Sequence, residues 1–157
     1  MKKILSLVLS LILLSSVCII TAYADDSVIV SESIEYLDDG TYVVTTLTVE
    51  DDNSVARATS TKTGSKTITL YNSDDEALVT MKLTASFSYT GSSATCISAS
   101  TSYTIHNSNW KVTSATASKS GNKATGNFTA KKYLLGIPIQ TKEHTLTITC
   151  SNTGTLS

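Results

Sequence analysis

Between Val79 and Tyr89 the chain reads VTMKLTASFSY, an unbroken alternation that puts Val79, Met81, Leu83, Ala85, Phe87 and Tyr89 on one side and Thr80, Lys82, Thr84, Ser86 and Ser88 on the other. A period of two is that of a strand with one dry and one wet face, and it cannot be laid on a helix of 3.6 residues per turn. Such a strand needs hydrogen-bonded neighbours and a second layer over its apolar face. The surrounding sequence supplies them. Strand patterns run over 28–36, 41–49, 66–71, 95–105, 110–118, 123–132 and 141–150, separated by turn formers: LDDG at 37–40, NSDDE at 72–76, TGSS at 90–93, HNSN at 106–109 and SGN at 120–122. In 37–40 the glycine supplies the positive φ of a short hairpin turn. YLLGIPIQ at 133–140 carries Gly136 and Pro138, and reads as an edge strand with a bulge or as a hairpin tip, because proline cannot donate to a central ladder. Short strands at regular spacing predict an all-β fold, an antiparallel β-sandwich of immunoglobulin-like or jelly-roll-like type.

The first residues are of another kind. Lys2 and Lys3 precede an apolar run from Ile4 to Ile20, and Ala22-Tyr23-Ala24 is a small-x-small cleavage pattern. Together they predict a helical secretory signal over 1–24, cut before Asp25. A membrane anchor is the lesser reading, since the run falls short of the roughly 20 residues of a span. Cys18 follows Val17, where a lipid-attachment site carries a small residue, so it is expected to leave with the signal. Two cysteines then remain, Cys96 and Cys150. An even pair in an oxidising compartment predicts one disulfide, closing a loop of about 55 residues.

Charge divides the exported part. Residues 25–56 hold nine acids (Asp25, Asp26, Glu32, Glu35, Asp38, Asp39, Glu50, Asp51, Asp52) and no Lys or Arg, whereas from Arg57 onward ten basic residues face four acids. The junction DDNSVARATSTKTGSK reads as a polar, flexible linker. The expected organisation is therefore a signal peptide at 1–24, an acidic β-hairpin or prosegment at 25–56, and a β-sandwich domain at 57–157. A cut beside Arg57 and Ala58 is the processing hypothesis. The apolar Ile34, Tyr36, Val43, Leu47 and Val49 favour a hairpin that joins the sheet over a detachable mask.

Chemistry finds little purchase. The two histidines, His106 and His144, lie far apart, and three of the four later acids, Asp74, Asp75 and Glu76, share one turn with Glu143 remote from them. Paired carboxylates on separate elements, a nucleophile elbow and a zinc-ligand spacing are not recognisable. No enzyme activity, metal or cofactor is expected. His144 shares a strand face with Leu146 and reads as a packed imidazole. Binding is more open: Lys111, Lys119, Lys123, Lys131 and Lys132, with Trp110, are candidate surface-binding residues for an anionic cell-wall polymer, a glycan or a membrane surface. Trp110, Tyr71, Tyr89, Tyr103 and Tyr133 are candidates for an aromatic platform, though core or rim packing is the favoured reading for most of them. Basic-aromatic interleaving of nucleic-acid modules is not seen.

The order of leader, EYLDDGTYVVTT, Arg-containing junction, TKTGSKTITLYNSDDEAL and closing TLTITCS resembles small secreted proteins of unknown function from Gram-positive, clostridial-type gut bacteria. The resemblance implies export and an all-β fold, and assigns no functional residue. The resulting expectation is a secreted, extracellular, non-enzymatic binding or interaction protein at an envelope or glycan surface. The alternative is an antimicrobial or toxin-like effector held by an acidic shielding prosegment.

Overall fold

The computed structural model describes residues 27–50 and 59–157, so the signal cleavage residues Ala22, Ala24 and Asp25 and the processing residues Arg57 and Ala58 lie outside the described part. Eight strands make up the rest: β1 (Ser27–Tyr36), β2 (Tyr42–Glu50), β3 (Ser60–Tyr71), β4 (Ala77–Tyr89), β5 (Ala94–Ile105), β6 (Trp110–Ser120), β7 (Lys123–Leu134) and β8 (Ile137–Thr149). They form two antiparallel sheets, ordered β1-β2-β3-β4-β5 and β6-β7-β8. Within each sheet every strand pairs with its neighbour in sequence. An immunoglobulin or jelly-roll topology needs Greek-key returns, so the expected sandwich type is corrected to a pair of simple meanders. The physical reason is local: the described connections within the sheets, 37–41, 72–76, 90–93, 121–122 and 135–136, are short turns, which favour the adjacent partner.

The alternating strand lies where its pattern requires. Val79, Met81, Leu83, Ala85 and Phe87 are buried, while Thr80, Thr84 and Ser86 lie on the outer face. Against the inner face pack Phe128, Ala130, Leu146 and Ile148 from the smaller sheet, with Trp110 among the largest fully buried side chains. Each large aliphatic or aromatic residue buried here contributes about 1.5–3 kcal/mol relative to exposure. One charge interrupts the apolar row: Lys66 pairs with Leu47 on one side and Leu83 on the other. Its stem lies along the core and its Nζ reaches the Thr147 carbonyl at 3.1 Å, giving the ammonium a partner on the facing sheet.

The wet face explains the abundance of hydroxyl residues. Thr69 and Thr80, Ser65 and Thr84, and Thr63 and Ser86 face each other across the β3–β4 pair with hydroxyl oxygens 3.0, 2.9 and 2.9 Å apart. Cross-strand pairs of this kind are a unit of sheet stabilisation.

Residues 60–65 are a second departure from expectation. STKTGS falls in the expected flexible junction, but it forms the first half of β3, paired along its length with Thr84–Tyr89 of β4 and, at Gly64 and Ser65, with Val49 and Thr48 of β2. No apolar alternation marks it because the space over Gly64 is filled from elsewhere. A Cβ at Gly64 would stand 2.4 Å from Cδ1 of Leu156, so the missing side chain is what admits the C-terminal leucine to the core. Thr149 and Ser157 exchange two backbone hydrogen bonds, holding that tail along the end of β8.

The acidic hairpin belongs to the sheet. Val43 and Leu47 of β2 are each 2% exposed. β1 is different: it touches no strand but β2, and all ten of its residues are exposed. The β1–β2 pair therefore overhangs the three-stranded sheet as a wing, tied back at its loop by Lys142 Nζ on Asp39 at 2.6 Å and by Gln140, which donates to the same carboxylate.

Candidate binding surface

The residues expected to form one surface are distributed by the strands into different places. Lys111 and Lys131 are direct cross-strand partners on the outer face of the smaller sheet, and Lys132, one residue on, pairs with Trp110 and points to the opposite face. Lys123 sits at the other end of β7, about 27 Å from Lys131 at the ordinary strand rise. Lys119 donates to the Ile97 carbonyl on β5 and so links the two sheets. Trp110 is 2% exposed and packs in the core, which agrees with the core reading and corrects its candidate surface role. The reason lies in register: its backbone starts β6 at the row where the inner face closes over β4 and β7.

The tyrosines make no flat platform. Tyr42 stacks on Tyr71 with ring centroids 5.0 Å apart and planes at 9°, and Tyr36 tilts against Tyr42 at 5.5 Å and 39°. Rings stacked on one another offer edges, leaving the faces a sugar would use covered on the inside of the row. Tyr42 donates its phenol proton to Asp75 at 2.9 Å, and this bond to the neutral form pushes its pKa up to about 12. Tyr89 packs against Gly154, where a Cβ would lie 2.5 Å from its Cζ. Tyr133 lies beneath Lys111, whose Nζ is 5.1 Å from the ring centroid.

The histidines are set apart. His106 Nε2 is 3.0 Å from the Thr80 hydroxyl on the outer face of the larger sheet. His144, on β8, is a packed imidazole with a buried Nε2 that has no hydrogen-bond partner among the described residues. Burial holds its pKa below the usual histidine value, helped by Lys142 and opposed by Glu35.

Cys96 and Cys150 are both buried, and their thiols are free in this structure, each sulfur donating to a nearby carbonyl, that of Ser98 and of Ser151. The expected bridge is thus not formed here, yet the fold brings its two ends to one turn. Cys96 N–H donates to the Gly121 carbonyl at 2.7 Å and Cys150 N–H to that of Asn122 at 3.0 Å, consecutive residues of the β6–β7 connection. Burial raises both thiol pKa values, and for Cys150 the charge of Cys96 raises it further.

Two features went unmarked as sites in the sequence. One is a groove of about 310 Å³ beneath the wing, lined by Val28, Val30, Val49 and Leu156 with Glu50 and Lys62. The other is the tip of the β7–β8 hairpin, where Leu134, Leu135, Ile137 and Ile139 are all more than half exposed. Its signal was present as two leucines placed directly before the turn glycine, where a hairpin ordinarily carries polar residues. No protein-family model, curated protein or solved structure matches this chain.

Proposed function

We propose that this protein is exported and acts by binding a surface at the cell envelope, as a sandwich-like module without catalysis. The N-terminal Lys2–Lys3, the apolar run and Ala22-Tyr23-Ala24 support export. The observation that carries the binding reading is how the exposed apolar side chains are grouped. Among the described residues, eight of the twelve exposed large apolar side chains fall in two groups, Val28, Ile29, Val30 and Ile34 on the wing and Leu134, Leu135, Ile137 and Ile139 on the hairpin tip, the others being Tyr36 and, along β5, Ile97, Tyr103 and Ile105. Grouped exposed apolar side chains mark interaction sites. The flanks differ in sign: the wing carries Glu32, Glu35 and Glu50, the tip Lys111, Lys131 and Lys132.

The alternative, an effector unmasked by a cut near Arg57, asks the wing to leave. The packing of Val43 and Leu47 in the core weighs against it. The test is co-sedimentation of the purified exported protein with Gram-positive envelope preparations over a salt series. Bound protein should fall as salt rises, because exposed charges are screened within about 10 Å at 0.1 M. Protein that stays in the supernatant at every salt concentration would refute the reading.

A further inference from the structure

The β7–β8 tip is built against the interests of folding. Leu135 and Gly136 are the two central residues of a hairpin turn flanked by the pair Leu134 and Ile137, with φ of 50° and 82°. Left-handed φ at both positions is the turn that asparagine, aspartate and glycine favour, and a bulky residue is strained there. Leu135 is also 96% exposed, so it has neither a relaxed backbone nor burial to offset the strain. An outlier of this kind points toward function.

The tip also projects. The last row that β7 shares with β6 is Lys132 opposite Trp110, and the hairpin continues past it through Tyr133 and Leu134 before turning. Tyr133 N–H still donates to the Asn109 carbonyl of the β5–β6 connection at 2.7 Å, so at about 3.3 Å per residue the tip stands on the order of 7 Å beyond that last lateral bond. At its base, Lys111 and Lys131 stand directly opposite each other, which is unfavourable in water. Lys132 lies on the other face of the same hairpin, so positive charge surrounds the base on both sides.

From this we infer that the hairpin tip is a membrane finger for an anionic phospholipid surface: Leu134, Leu135, Ile137 and Ile139 enter the boundary between headgroups and acyl chains, and Lys111, Lys131 and Lys132 meet the phosphates. An interfacial anchor buries its apolar part about 5–10 Å deep with cations at headgroup level, and this hairpin has both the reach and the order. A second copy of the chain, offering its acidic apolar wing, is the rival occupant. It fits less well, because strand docking uses one face or one edge, whereas here the apolar side chains and the lysines are spread over both faces. The acidic loops at the same end of the molecule, with Asp38, Asp74, Asp75 and Glu76, belong to the other sheet, and their repulsion tilts the approach toward the outer face of β6–β8. This inference rests on the surface-binding reading and names the surface.

The test uses the full exported protein with vesicles of phosphatidylglycerol and phosphatidylcholine, against pure phosphatidylcholine, at low and high salt. Binding is expected only with the anionic lipid and should weaken with salt. Leu135→Asn suits the left-handed turn, so thermal stability should hold or rise while vesicle affinity falls about tenfold through lost apolar burial. Lys131→Gln should lower affinity about fivefold and flatten the salt dependence. Equal vesicle binding by wild type and Leu135→Asn overturns the finger. So does a concentration-dependent oligomer, without vesicle binding, that Leu135→Asn abolishes, which would assign the tip to a second copy. Retained envelope binding with no lipid binding overturns the finger and leaves the binding reading standing, whereas loss of both removes both.

Discussion

Gly64 and Leu156 offer the sharpest test of how the two sheets are closed. A methyl group at residue 64 would lie 2.4 Å from Leu156 Cδ1 and 3.1 Å from the Thr48 carbonyl oxygen. The leucine must then turn away, and overpacking of this sort costs about 1–3 kcal/mol. Leu156→Ala alone removes a side chain that is 5% exposed, at about 2–5 kcal/mol, the range for a large-to-small change in a core. In the double variant the new methyl occupies space the leucine has left, so Gly64→Ala should add almost nothing to Leu156→Ala beyond the residual contact with Thr48. Urea denaturation of the four proteins gives the coupling directly, with an expected size of about 1–3 kcal/mol. Two costs that add to within about 0.5 kcal/mol would show that Leu156 does not rest on Gly64.

Other outcomes follow from the same geometry. Peptide mapping without reductant should find Cys96 linked to Cys150 in protein exported through an oxidising compartment, and Cys150→Ser should lower stability there by about 4 kcal/mol or less; two free thiols in that material would remove the bridge. Asp39 is held below the usual carboxylate range, first by Lys142 and then by the Thr41 hydroxyl. Its contribution is therefore present above the unfolded aspartate value of about 3.9 and lost as pH falls below it. The pair is a third exposed at the carboxylate, so Asp39→Asn should cost under about 1 kcal/mol at pH 7 and flatten the acid limb of the stability curve. An unchanged acid limb in that variant would deny the pairing. A chain beginning at Ala58 lacks Val43 and Leu47 and should aggregate or fail to unfold cooperatively, whereas a soluble monomer with a sharp transition would mean the acidic hairpin is dispensable.

Strand existence was legible where one face is dry and the other wet. Val79 to Tyr89 needed no tertiary information, because alternation fixes both the strand and the side it buries. His144, Leu146, Ile148 and Cys150 likewise share a face by period alone. The turns were legible because glycine, asparagine and aspartate announce local backbone requirements; Gly40 indeed has a φ of 78°.

What the sequence by itself determined was thus local: an all-β chain, its turns, and two strand faces whose apolar residues had to meet. The tertiary structure decided whatever depends on residues distant in the chain. Ser60 to Ser65 become a strand because β2 and β4 offer two edges and Leu156 fills the space over Gly64, none of which is written in STKTGS. Trp110 moves from candidate surface residue to core because register, not composition, chooses its side. The five lysines divide because strand length separates Lys123 from Lys131, and Leu135 gains its significance only when the fold places it, exposed, in a left-handed turn. Period and turn chemistry act over a few residues and can be read in order; burial and proximity are set by sheet pairing, which sums contacts from the whole chain.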